Sequence, residues 1–144
     1  IEFPILRTLD LINCTSVESL PLDSKHFHAL EYLCVKKCAK LELFKGHEDQ
    51  NLNLKLKTIR FVYLPQLGIL PYWLQGSANT LLYLSLEHCY NFEVLPDWLP
   101  MLGNLRALDI EYCPKLWSLP DGIHCRHPLP HCLLRSRQVY RSYK

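Results

Sequence analysis

A nine-residue pattern recurs five times in this chain of 144 residues, at intervals of 24 to 26 residues. Every copy has leucine at position 1, apolar residues at positions 4 and 6, and cysteine or leucine at position 9. The copies begin at Leu6, Leu30, Leu56, Leu81 and Leu105. Two more apolar residues follow at positions 12 and 15 of each copy. A fixed period of this size indicates stacked structural units, because one unit cannot bury its own apolar face.

The order of residues within a copy predicts a short strand and then an irregular return. Apolar positions 4 and 6 alternate with positions 3, 5 and 7, and a period of two is the pattern of a half-buried strand. Proline, which ends regular structure, follows position 15 in four copies, as Pro21, Pro71, Pro96 and Pro120. These features predict an α/β-type leucine-rich-repeat solenoid, or horseshoe. Short parallel strands would form its concave face, and irregular or short helical segments its convex face.

The returns differ from one another in composition. The segments after Pro71 and Pro96 are alike, and each contains a tryptophan, Trp73 or Trp98, that we expect to pack on the convex side rather than to anchor a partner. Residues 45–55 form the most polar return and are predicted to be a solvated loop.

The repeats also define the expected domain boundaries. We predict a leucine-rich-repeat domain over residues 1–124, with repeats starting near residues 6, 30, 56, 81 and 105, followed by a basic, irregular tail over residues 125–144. The tail has five basic residues and no acidic residue. Its segment 133–140 is the candidate for a cap on the solenoid end. Since the chain begins at Ile1, within a repeat, we expect it to be a piece of a longer protein that exposes apolar surface near Ile5.

Four of the seven cysteines occupy position 9, where the third copy has Leu64. A position that accepts leucine or cysteine is a small buried apolar site, in which free cysteine behaves as a hydrophobic residue. Neighbouring copies stack roughly 5 Å apart, so the distance would permit a Cys14–Cys38 disulfide. Reduced thiols fit the buried position better, and they favour a cytoplasmic or nuclear location.

The sequence offers little for catalysis or cofactor binding. A net charge of +2 and the lack of a long apolar run predict no nucleic-acid partner and no membrane span. No phosphate-binding glycine loop, nucleophile elbow or zinc-protease motif is present. The best zinc ligands are Cys125, His127, His131 and Cys132, but the last two are adjacent and cannot easily both reach one tetrahedral ion. We therefore expect a non-enzymatic segment without metal or cofactor.

The outward positions of the predicted strands form the candidate binding surface. Its charge runs from basic in copies two and three to acidic in copies four and five, with aromatic residues between. Tyrosine and arginine are common in interface hot spots, and uneven charge helps to orient a partner. Any strand face in water would be polar, but the concave shape favours protein binding. The candidate residues are Tyr32, Lys36, Lys37, Arg60, Tyr63, Tyr83, Glu87, His88, Asp109, Glu111 and Tyr112.

The run LPDWLPMLGNLRALDIEYCPKLWSLPDGI at 95–123 resembles the C-terminal repeats of plant nucleotide-binding leucine-rich-repeat (NB-LRR) disease-resistance proteins. The shared marks are Leu-Pro after position 15, cysteine at position 9 and the segment Cys113-Pro114-Lys115-Leu116. The resemblance covers about residues 5–124. It implies a cytosolic immune receptor whose repeats recognise a pathogen effector or a guarded host protein. It also implies that the repeats hold the parent's own nucleotide-binding module in an ADP-bound resting state. Because no nucleotide-binding motif is present here, ADP or ATP is expected only in a missing N-terminal module.

Other leucine-rich-repeat functions fit the same pattern. The segment could be the substrate-recognition part of an F-box ubiquitin-ligase adaptor or a generic intracellular scaffold. F-box proteins also carry cysteine at position 9, but they generally lack the Leu-Pro step. A secreted receptor is less favoured, since extracellular plant repeats are expected to have asparagine at position 9. A P-loop or an F-box upstream of Ile1 would separate these alternatives.

Overall fold

The computed structural model describes residues 5–20, 22–23, 25–44 and 52–116, and the backbone of residues 133–137. Six five-residue strands lie within these ranges: β1 (Thr8–Ile12), β2 (Tyr32–Lys36), β3 (Thr58–Val62), β4 (Tyr83–Glu87), β5 (Ala107–Glu111) and β6 (Leu133–Arg137). Two 3-10 helices, Tyr72–Ser77 and Leu99–Met101, lie in the returns after β3 and β4. The predicted leucine-rich-repeat solenoid, with short strands and little helix, is confirmed.

The six strands form one parallel sheet in chain order. Each strand pairs in a register that aligns equivalent repeat positions, so that Tyr32 lies opposite Thr58 and Thr58 lies opposite Tyr83. The pairing continues one residue past the strands. For example, the N–H of Tyr63 at position 8 donates to the carbonyl of Glu87 at position 7 of the next copy, at 2.9 Å. The sheet therefore stacks every repeat position into a column.

Position 8 has a left-handed backbone in all five copies. The φ angles there range from 51° to 58°, at Asn13, Lys37, Tyr63, His88 and Tyr112. A left-handed conformation is uncommon for residues other than glycine because the Cβ atom crowds the following carbonyl oxygen. The turn ends each strand, and position 9 then returns to the core: Cys38, Cys89 and Cys113 are all buried.

The core lies between the sheet and the returns and is filled by the six pattern positions. In the third copy all six residues are buried, from Leu56 at position 1 to Leu70 at position 15. The first copy is less covered: Leu6 is 39% exposed, and Leu9 and Leu11 are only partly buried. Within the described residues β1 pairs with β2 alone. The expectation of exposed apolar surface near Ile5 is confirmed by that residue's own exposure.

The convex returns are held by a few buried polar contacts. The indole Nε1 of Trp73 donates to the carbonyl of Leu43 at 2.9 Å, while Trp98 is partly buried against the core. The hydroxyl of Ser77 donates to the carbonyl of Leu54 at 2.7 Å and accepts from the N–H of Leu56 at 3.1 Å. Both tryptophans therefore pack on the convex side, as predicted.

The predicted solvated loop over residues 45–55 is wrong at its C-terminal end. Leu52 and Leu54 are buried in the core, because the chain already packs against the 3-10 helix that contains Ser77. Residues 45–51 lie outside the described residues.

The tail also differs from the expectation of an irregular segment. Residues Leu133–Arg137 form β6, which pairs with β5 and places Leu134 and Ser136 opposite Leu108 and Ile110. A strand here covers the N–H and C=O groups that β5 would otherwise leave unpaired at the sheet edge. Serine at position 6 breaks the apolar pattern of the repeats, so the pattern does not predict this strand. The rest of the tail lies outside the described residues, and the boundary at residue 124 stays a prediction.

Candidate protein-binding surface

The candidate site is the concave surface, which we define as positions 3, 5, 7 and 8 of the five repeats. Positions 3, 5 and 7 alternate with buried positions 4 and 6 in β3, β4 and β5. Because equivalent positions align across the sheet, all eleven predicted site residues lie in these four adjacent columns. The sequence therefore placed each of them on one continuous surface.

The column at position 8 contains a stack of aromatic rings. The centroids of Tyr63 and His88 are 4.4 Å apart with ring planes at 6°, and those of His88 and Tyr112 are 4.6 Å apart with planes at 7°. These spacings match the separation of neighbouring strands, about 4.8 Å. The Lys37 ammonium nitrogen lies 5.5 Å from the centroid of Tyr63, within cation–π range. We call Tyr63, His88 and Tyr112 the aromatic column.

Tyr90 packs against this column, although it lies outside the predicted site. Its hydroxyl oxygen lies 3.1 Å from Nδ1 of His88. Its ring meets those of Tyr63 and His88 edge-on, at centroid distances of 6.2 and 5.9 Å. Tyr90 occupies position 10, beyond the strand, so alternation along the strand could not identify it. Its signal in the sequence is an aromatic residue two places after His88.

A polar network joins the basic and acidic parts of the surface. Arg60 Nη2 donates to Oε1 of Glu87 at 2.9 Å, and the hydroxyl of Ser85 donates to the same oxygen at 3.0 Å. Burial raises the pKa of Glu87, but the hydrogen bonds from Arg60 and Ser85 outweigh it and leave that pKa below its usual value. The hydrogen bond to Glu87 in turn raises the pKa of Arg60. These two charges balance each other within the surface.

Side chains pack closely around this network. Cys34 and Val62 occupy outward positions, yet both are buried, and burial raises the pKa of the neighbouring Tyr32. Tyr83 remains exposed. The middle of the concave surface is therefore a packed layer with the exposed Tyr83 beside it.

The acidic end of the surface borders the sixth strand. Asp109 and Glu111 lie opposite Arg135 and Arg137 in the register of β5 with β6. The backbone sheet thus continues past the acidic positions onto β6. The sequence pattern, which ended at the fifth copy, did not indicate this strand.

The cysteines at position 9 lie behind the surface rather than on it. The five described cysteines, among which Cys34 is the one outside position 9, are free thiols. The Cys89 thiol donates to the carbonyl of Phe61 at 3.6 Å. Interaction with the neighbouring Cys113 thiol raises the pKa of Cys89, and burial raises it further. Cys38, Cys89 and Cys113 are buried and Cys14 is partly buried, which confirms the expected core role.

The described ranges lack the features of a metal site and of a membrane span. There, no group of three or more histidine, cysteine or carboxylate side chains could hold a metal ion. The predicted zinc ligands, from Cys125 to Cys132, lie outside those ranges. No helix of the described residues has the length and apolar character needed to cross a membrane.

Comparison with known proteins gives relatives from Arabidopsis thaliana. The chain is 27% identical over 117 residues to Disease resistance protein RPS4, covering 81% of this chain and 9% of that protein. It is 27% identical over 143 residues to Probable disease resistance protein RF45, covering 94% and 13%. It is 32% identical over 116 residues to Protein SUPPRESSOR OF npr1-1, CONSTITUTIVE 1, covering 80% and 7%. No protein-family model matches.

The chain spans only 7% to 13% of the length of these relatives. The matches cover 80% to 94% of this chain, and its described strands form a parallel-strand solenoid. The resemblance inferred from the repeat motifs is therefore confirmed: this chain is a leucine-rich-repeat segment whose relatives are plant disease-resistance proteins.

Proposed function

We propose that this segment is the protein-recognition surface of an intracellular plant immune receptor of the NB-LRR class. The observation that carries the proposal is the aromatic column, with Lys37 at one end and Tyr90 beside it. Aromatic residues supply much of the energy at protein interfaces when they are held in packed surroundings. The relatives named as disease resistance proteins support the immune role.

The stacking favours binding because it orders the side chains in advance. Association costs about 0.5–1.5 kcal/mol for each flexible side chain that becomes fixed at an interface. Tyr63 and His88 are already held by ring contacts on both sides. Arg60 is held by Glu87. A partner that contacts these residues therefore meets a surface that needs little further ordering.

In the intact receptor the same surface would serve recognition and autoinhibition. The partner would be a pathogen effector, a guarded host protein or the receptor's own nucleotide-binding module. A contact made in the resting state and lost in the active state would shift the equilibrium toward the resting state. Any ADP or ATP would bind in the N-terminal module rather than in this segment, and the receptor would act in the cytoplasm or nucleus.

The full-length transcript tests the class of the parent protein. We expect a P-loop within an ATPase-like module upstream of Ile1. An F-box in that place would instead make the segment a ubiquitin-ligase adaptor, and neither module would leave a plain scaffold.

Substitution of the aromatic column tests the surface itself. In the full-length receptor, the double substitution Tyr63→Ala and His88→Ala should remove proteins that co-purify with the receptor or should trigger defence signalling without a pathogen. Met101→Ala is the matched control, because Met101 is exposed in a convex return. If the double variant keeps its partners and its resting state, the aromatic column is not the contact.

A further inference from the structure

We propose that a groove on the flank of the third repeat binds a positively charged side chain, arginine or lysine, from a basic segment of a partner protein. The groove has a volume of about 470 Å³. Its lining residues are Phe44, Gln66, Gly68, Ile69, Tyr72 and Glu93. None of these residues belongs to the concave surface, so this second site does not rest on the function proposed above.

The groove lies at a gap in a row of carboxylates. Position 13 of the first four repeats carries Glu18, Glu42, Gly68 and Glu93. Backbone hydrogen bonds connect members of the row: the Glu42 N–H donates to the Glu18 carbonyl at 3.0 Å, and the Glu93 N–H donates to the Gly68 carbonyl at 2.9 Å. The three glutamates are exposed. Glycine therefore removes one side chain from an otherwise acidic row and leaves space beside Glu93.

The walls of the groove are apolar and aromatic. The rings of Phe44 and Tyr72 meet edge-on, with centroids 5.5 Å apart. Ile69 is 39% exposed and Tyr72 is 53% exposed. Aromatic rings attract cations, and apolar walls can contact the methylene chain of a lysine or arginine. The Glu93 carboxylate would then meet the charged end of that side chain.

Charge selects this occupant over the alternatives. An anionic side chain would be repelled by Glu42 and Glu93, which lie in the position-13 row on either side of Gly68. A neutral apolar side chain would fill the groove but would remove water from Glu93 without replacing its hydrogen bonds, which is unfavourable. A cation satisfies the carboxylate and the rings together.

Gly68→Leu provides the sharpest test because it blocks the groove without a forced clash. A Cβ atom at Gly68 would lie 3.7 Å from the nearest heavy atom, the carbonyl oxygen of Asn91, which is ordinary contact. Gly103→Leu is the matched control, since a Cβ atom there has no heavy atom within 4 Å. Both variants should keep the far-UV circular dichroism and thermal midpoint of the parent protein.

The probe is fluorescein-labelled tetra-arginine amide, measured by fluorescence anisotropy with the full-length protein at low salt. We expect Gly68→Leu and Glu93→Gln each to weaken binding by about two- to fivefold, as for the loss of an exposed cation–π contact or ion pair. Gly103→Leu should bind like the parent protein. The neutral analogue tetra-citrulline amide should bind at least about fivefold more weakly.

Two results would overturn the proposal. Unchanged affinity in Gly68→Leu would mean that the probe binds elsewhere on the protein. Equal affinity for tetra-citrulline would mean that charge does not select the occupant. Because no groove residue belongs to the aromatic column, failure of the groove and failure of the proposed function remain distinguishable.

Discussion

The first and third repeats carry the same apolar pattern but bury it to different extents. In the third repeat the six pattern residues are almost completely buried, whereas in the first repeat Leu20 alone reaches that state. The third repeat has a neighbour on each side of the sheet, and among the described residues the first has one. The pattern therefore specifies the shape of a repeat, while stacking supplies its burial and most of its stability.

The largest difference in stability between the first and third repeats is expected for substitutions at position 1. Leu56→Ala should lower the free energy of unfolding by about 2–5 kcal/mol, since it leaves a cavity in a packed core. The same substitution at Leu6, which is 39% exposed, should cost less than about 1 kcal/mol because the side chain is already partly in water. Urea denaturation of the two variants measures both values. Equal losses would show that neighbours do not determine the stability of a repeat.

The returns offer a second comparison, between two glycines. A Cβ atom at Gly76 would lie 1.7 Å from the backbone oxygen of Leu52, while one at Gly103 would have open space. Gly76→Ala should therefore destabilise the protein by about 1–3 kcal/mol or more, because the backbone must move. Gly103→Ala should change stability by less than about 0.5 kcal/mol. Thermal midpoints rank the two variants, and a smaller loss at Gly76 would mean that the return of the third repeat is not tightly packed.

The smallest expected effect is the pH dependence of the free energy of unfolding that the Arg60–Glu87 pair contributes in the middle of the sheet. The folded state lowers the pKa of Glu87 below its ordinary value of 4.5. The Arg60–Glu87 pair therefore adds stability above that value and loses it as the pH falls through the folded pKa. Because both side chains are partly exposed, the gain should not exceed about 1 kcal/mol. Glu87→Gln should flatten the fall in stability between pH 5 and pH 3, roughly the range of carboxylate titration. An unchanged profile would assign that fall to other carboxylates.

The sequence predicted the strands and the inward positions because both follow from a simple period. It also placed Tyr63, His88 and Tyr112 on the concave surface. Their stacking was not predictable, since it depends on the register of the sheet and on the left-handed turn at position 8. Tyr90 was missed because it lies beyond the alternating strand.

Two predictions, the irregular tail and the solvated loop over residues 45–55, are wrong where polar composition was taken to indicate irregular structure. Ser136 interrupts the apolar pattern, but the open edge of β5 still accepts β6 as a partner. Leu52 and Leu54 follow a polar run, yet contacts with the return of the third repeat bury them. In both places long-range packing outweighs the local polar composition. A single sequence does not show such packing.

The left-handed turn at position 8 limits which side chains the concave surface can present. Branched residues such as valine, isoleucine and threonine are strained at positive φ. The five copies carry asparagine, lysine, tyrosine, histidine and tyrosine there, none of which is branched at Cβ. Substitutions that suit a new partner would therefore be limited to polar, cationic or aromatic side chains that are unbranched at Cβ. The backbone of the repeat, and not only the partner, restricts the residue types at position 8.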